Sequence, residues 1–92
     1  MPKYEIYYSK DYKKAVKKLD EQSLQMLAQI IDRLANDEIL EPKFKDHQLK
    51  GDLKAFRECH IKPNLLLVYK KTEQILRLNV VRVGSHSGLF KK

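Results

Sequence analysis

The sequence predicts an α+β domain of order β-α-α-β-β-β, a helical hairpin packed on one face of an antiparallel sheet. Three observations carry that expectation. Apolar residues alternate with polar ones near the N-terminus, then recur every three or four residues as far as about residue 36. The second half holds three apolar runs parted by short polar connections. Strands on either side of two helical segments read as a layered fold.

Residues 3–8 open the chain as a strand, with Tyr4, Ile6 and Tyr8 on one side and Glu5 and Tyr7 on the other. Ser9 is a natural N-cap for a helix over 10–19, in which Tyr12, Ala15, Val16 and Leu19 share a face. Lys10, Lys13, Lys14, Lys17 and Lys18 crowd its outside; they mark either a solvated face or one with an anionic partner. Asp20 caps a second helix over 22–36, where Leu24, Leu27, Ile31 and Leu34 form the stripe and Ala28, Ile30 and Ala35 broaden it. Residues 37–50, with Pro42 and no periodicity, read as a loop that carries His47. Strands follow around 52–59, 64–71 and 74–83, joined by a turn at Pro63-Asn64 and by the polar stretch 71–74. The sheet face away from the helices is expected to be free.

Ninety-two residues suffice for a single domain, 1–92, with one core. Apolar residues at 42% and charges of both signs at 34% argue against disorder. A lone cysteine, Cys59, cannot form an internal disulfide. No run approaches the ~18 apolar residues of a membrane span and no apolar signal core opens the chain. A cytoplasmic protein that meets no membrane is the expectation.

Charge is segregated. Residues 1–46 carry nine Lys or Arg against nine Asp or Glu; residues 47–92 carry ten against three, which gives the net +7. All three histidines, His47, His60 and His86, lie in that basic half. Groups that exchange protons near neutral pH, set in a cationic surface, suit a polyanion that is held and then attacked; RNA is the obvious candidate. Singly, His47 and His86 are loop histidines and His60 a strand histidine, and none would signal a function. Their spacings of 13 and 26 residues do not match a structural zinc site, and no metal or other cofactor is expected. Cleavage of RNA needs a base for the 2′-OH, an acid for the leaving 5′ oxygen and a cation for the phosphorane. Two histidines and an arginine meet that need, and Arg82 lies four residues before His86. Phe90, four residues beyond, is either a terminal core anchor or a surface for stacking a base.

Four segments, taken together, resemble the YafQ branch of the RelE/ParE toxin superfamily. They are Lys45-Asp46-His47-Gln48-Leu49-Lys50-Gly51, Phe56-Arg57-Glu58-Cys59-His60-Ile61-Lys62-Pro63, Leu66-Leu67-Val68-Tyr69 and Arg82-Val83-Gly84-Ser85-His86-Ser87-Gly88-Leu89-Phe90. The likeness covers almost the whole chain. It implies the toxin of a type II toxin–antitoxin pair, a ribosome-dependent endoribonuclease that cuts mRNA in the A site. In that pattern His47, His60 and His86 contribute to the active site, with Arg82 and Phe90. Where the pattern has aspartate and tryptophan after the proline, this chain has Asn64 and Leu65. An amide cannot act as a base, so Asn64 is given a positioning role.

The expected catalytic set is therefore His47, His60, Arg82 and His86. His47 or His60 takes the 2′-OH proton, His86 donates to the leaving oxygen and Arg82 holds the phosphate. Asn64, Phe90, Lys13, Lys17, Lys54 and Lys62 are the expected RNA contacts. Expected partners are mRNA, ribosomal RNA and an acidic antitoxin. Two other readings stand beside this one: a ParE-like inhibitor of gyrase, which would not need three histidines, and a non-catalytic RNA- or protein-binding relative.

Overall fold

Both helices begin where a short polar side chain can satisfy an amide that the helix itself leaves unpaired. Ser9 Oγ accepts from the Tyr12 amide at 3.0 Å and opens α1, Lys10–Val16. Asp20 Oδ1 accepts from the Ser23 amide at 3.0 Å and opens α2, Glu21–Ala35. Each cap stabilises its helix by about 1 kcal/mol. α1 stops three residues short of the expected end, because bonds from Lys18 to Ala15 and from Leu19 to Val16 tighten the chain into the turn before Asp20. The structure, a computed structural model, describes residues 3–85.

Five strands make one sheet: β1 (Glu5–Tyr8), β2 (His47–Gln48), β3 (Arg57–Lys62), β4 (Leu65–Thr72) and β5 (Arg77–Gly84), in the order β1-β5-β4-β3-β2. The sheet is mixed. β1 runs parallel to β5, with Glu5 opposite Arg77 and Tyr8 opposite Val80, while every other pair is antiparallel. β2 forms inside the expected loop. β3 begins later than expected, because Gly51, at φ +65°, turns the chain through a short 3-10 segment, Gly51–Leu53. An L-residue rarely takes that φ.

α1 packs against β5, and α2 against β3 and β5. Leu27, Ile30, Ile31 and Leu34 of α2 meet a sheet face built by Cys59, Ile61, Leu67, Tyr69, Leu78 and Val80, all buried. Three residues expected on the apolar sides lie outside it: Leu24, Ala28 and Tyr8 are exposed, and Tyr8 stacks on Tyr12 with ring centroids 5.3 Å apart. The second sheet face is not bare either. Leu66 and Val68 are buried there, so β4 is apolar on both sides, which is why it reads as an unbroken run rather than an alternation. Among the described residues no helix is long and apolar enough to cross a membrane.

Candidate active site

The loop that carries His47 is fixed at both ends. Arg33 near the end of α2 holds Glu41 through two bonds of 2.8 and 2.9 Å and Glu38 through one of 3.1 Å. The Arg33 guanidinium keeps the Glu41 carboxyl down at about 2. Asp37, just past the helix, takes 2.9 Å bonds from both Lys71 and Lys3, and these likewise hold its carboxyl at about 2. A 3-10 turn, Pro42–Phe44, follows, and Lys45 then takes a left-handed conformation at φ 49°.

Asp46 and His47 next diverge to opposite faces of the sheet. Asp46 goes to the helix side, where the Tyr69 hydroxyl donates to it at 2.6 Å and Arg57 Nε at 3.2 Å. Burial, reinforced by that bond to Asp46, pushes the Tyr69 hydroxyl far above its ordinary range, so it remains a donor. His47 goes to the other side and lies opposite Glu58 of β3.

Strand register extends this rung across the sheet. Glu58 is opposite Val68, and Val68 opposite Arg82; on the adjoining rung His60 is opposite Leu66, and Leu66 opposite Gly84. Cross-strand partners share a face, as do residues two apart on a strand. His47, Glu58, His60 and Arg82 therefore all belong to the face away from the helices.

His47 Nδ1 is 2.6 Å from the carbonyl of Lys45, and Nε2 is 3.4 Å from Glu58 Oε1. A carbonyl only accepts, so Nδ1 carries hydrogen; the approach of Nε2 to a carboxylate is then attractive when one further proton lies between the two groups. Glu58 is only 4% exposed, and its Oε2 is buried without a hydrogen-bond partner. An unmet acceptor of this kind costs about 1–3 kcal/mol, more when charged, which marks the position as one not optimised for stability.

The remaining expected residues are distributed more widely. His60 is half-buried and its ring makes no hydrogen bond among the described residues. Arg82 is half-exposed, with Nε 3.7 Å from Asp11 Oδ2 of α1. Asn64 is exposed in the turn between β3 and β4, and Lys62 Nζ stands 3.9 Å from Asp20. Lys13 and Lys17 are exposed on or beside α1, and Lys54 lies in the loop before β3, where its carbonyl accepts from Gln48. His86 and Phe90 lie outside the described residues. Glu58 was not anticipated, although its alternation with His60 placed both on one side of the strand. Asp46 and Tyr69, which anchor the loop, carry no local signal because they meet only across 23 residues of chain.

The family model for a bacterial toxin of type II toxin–antitoxin systems, YafQ, matches residues 2–91. The mRNA interferase toxin YafQ of Escherichia coli K12 is 36% identical over 88 residues, which are 95% of this chain and 91% of that protein. A metal-bound toxin from Helicobacter pylori superposes with a TM-score of 0.84 at 47% identity, covering 95% of this chain and 99% of that one. YafQ in the E. coli DinJ-YafQ toxin–antitoxin complex superposes with a TM-score of 0.77 at 33% identity, covering 96% and 98%. Among the described residues of this chain, no three His, Cys, Asp or Glu side chains gather into a set that could hold a metal.

Proposed function

This chain belongs to the YafQ family of bacterial type II toxins, and on that premise we propose that it is an mRNA endoribonuclease that cuts A-site codons on the ribosome by metal-independent acid–base chemistry. The observation that carries the reading is the shared face: His47, His60 and Arg82 fall on two neighbouring rungs, with a buried carboxylate among them. Nothing about stability calls for that grouping.

Both nitrogens of His47 are engaged, by Lys45 and Glu58, whereas His60 has no such partner among the described residues. The base is therefore assigned to His60. It takes the 2′-OH proton, and the 2′ oxygen attacks phosphorus. The bond from phosphorus to the 5′ oxygen then breaks, with His86 supplying the proton that the leaving oxygen needs. Arg82 bears the charge that builds on the phosphorane. Its link to Asp11 is exposed and weak, so a phosphate can displace it. His47 lies on the same face and can exchange its long 3.4 Å contact with Glu58 for the phosphate, adding a hydrogen bond to it without transferring a proton. The products are a 2′,3′-cyclic phosphate and a 5′-hydroxyl.

The domain acts as one unit, residues 1–92, in the cytoplasm where its substrate is translated. Lys13, Lys17, Lys54 and Lys62 contact ribosomal RNA through phosphates, so binding weakens steeply with salt. Asn64 positions the RNA strand and Phe90 stacks on a base. An acidic antitoxin silences the toxin by covering Arg82 and His86; the DinJ-YafQ complex supports a partner of this kind.

Primer extension in a purified translation system tests the reading. Cuts within A-site codons that require ribosomes and leave 5′-hydroxyl ends are expected. Ribosome binding without cuts would make this a non-catalytic relative, and inhibited DNA supercoiling would move it to gyrase.

A further inference from the structure

Beside His60 the sheet ends in a recess of whose walls only His60 and Lys62 have been given a role above. β2 pairs with only the first two residues of β3, so beyond Glu58 the outer edge of β3 has no partner strand among the described residues. The 3-10 turn Pro42–Phe44 and Met26 of α2 stand across the gap. The recess has a volume of about 450 Å3 and His60 forms part of its wall. That volume falls within the range of small-molecule sites, about 300–1,000 Å3, and is more than a lone ion needs.

Its lining has two characters. Met26, Phe44, Ile61 and Pro63 supply apolar surface, and Lys43, Lys45 and Lys62 supply charge. Neither Lys43 nor Lys45 has a carboxylate within ion-pair distance among the described residues. The Lys62 ammonium has only Asp20 at 3.9 Å. Lys43 Nζ lies 5.2 Å from the centroid of the Phe44 ring, which keeps an aromatic surface and a cation at one mouth.

An apolar recess beside ammonium groups, two of them without an ion-pair partner among the described residues, matches the two halves of a nucleotide. Aromatic rings stack on unpaired bases, and lysines hold phosphates without regard to sequence. We propose that the recess is a nucleotide subsite. It takes one unpaired base of the RNA strand that passes His60, with the base against Phe44 and Pro63 and its phosphate between Lys43 and Lys45. This assignment rests on the endoribonuclease reading and adds to it a second point of grip, one nucleotide removed from the cleaved bond. A site so placed bears on which codons are cut, since a base held beside His60 sets the register of the strand.

The test is an NMR titration of the full chain with adenosine 3′-monophosphate, repeated with inorganic phosphate and with a hexaglutamate peptide. The mononucleotide should shift the Met26 methyl and the Phe44 ring signals and saturate, with phosphate alone binding more weakly at the same lysines. Lys43→Gln and Phe44→Leu, each checked for native circular dichroism, should weaken mononucleotide binding by about tenfold or more. On ribosome-bound mRNA both should raise the toxin concentration for half-maximal cleavage. The rate at saturation should fall far less than the 10²-fold or greater loss typical of a missing base. Binding of hexaglutamate at the recess in preference to the mononucleotide would overturn the assignment in favour of an acidic protein segment. Cleavage that proceeds normally in both variants, with no mononucleotide shifts at the recess, would overturn it and leave the nuclease reading intact. Mononucleotide binding in a protein that cuts no RNA would do the reverse.

Discussion

On β3, neighbouring residues live in opposite surroundings. Cys59 and Ile61 point into the layer beneath the helices, both buried among aliphatic side chains. Burial pushes the Cys59 thiol up to about 12, so it is an inert hydrophobe there. Glu58 and His60 belong to the other face; one is a buried carboxylate with an unmet oxygen, the other a ring without a hydrogen bond among the described residues. One face is arranged to bury surface; the other, beside the buried Leu66 and Val68, holds one carboxylate oxygen and one imidazole ring whose hydrogen-bond partners the described residues do not supply. Stability and chemistry are thus separated by the period-two alternation of a single strand.

The separation can be broken from either side. The largest effect is expected from His60→Ala: a loss of about 10²–10⁴-fold in cleavage rate, with the melting temperature within a few degrees of wild type. A large drop in melting temperature with cleavage retained would place His60 in the structural layer. The counterpart on the helix side is Leu67→Ala. Leu67 is fully buried, and its truncation should cost about 2–5 kcal/mol of stability by denaturant unfolding, while the folded fraction still cuts mRNA at a near-normal rate.

Glu58→Gln sharpens the contrast further. It replaces the carboxyl whose Oε2 has no hydrogen-bond partner with an amide of the same shape, so stability should change little. Cleavage should fall by about 10–100-fold, since Glu58 acts through His47 rather than on RNA. Lower stability with full activity would make Glu58 a structural residue. The smallest effect is expected at the loop anchors. The carboxyls of Asp37 and Glu41 ordinarily titrate near 3.8 and 4.5 and lie at about 2 in the folded protein. A folded-state value below the unfolded one means stability that is present above about pH 4.5 and lost as pH falls toward 2. Thermal melts should therefore decline as pH falls below about 4.5. Asp37→Asn should flatten part of that decline and lower the melting temperature only slightly at neutral pH, because these pairs are exposed and screened by salt.

The parts of the fold that follow local rules were legible in the residues. Ser9 and Asp20 marked both helix starts, and the spacing of Leu27, Ile31 and Leu34 marked the buried side of α2. The parallel pairing of β1 with β5 was not legible, because Glu5 and Arg77 meet from opposite ends of the chain. Nor was β2, two residues long in a polar stretch without alternation. The candidate site divides in the same way. His47, His60 and Arg82 stood out by residue type and by likeness to a family pattern. Glu58 did not, since an acidic residue in a strand ordinarily reads as solvated, and only the pairing of β2 with β3 buries it beside His47. The recess is made by a 3-10 turn, a strand edge and one side chain of α2, which no local pattern links.

Cleavage of ribosome-bound mRNA, timed for wild type and for His47→Ala, His60→Ala and Arg82→Ala at matched concentrations and equal folded fractions, tests the division most directly. The expected result is a loss of at least about 10²-fold in each variant of an unaltered fold. Rates within a few-fold of wild type in all three would contradict it, and would leave the polar face without the chemistry assigned to it.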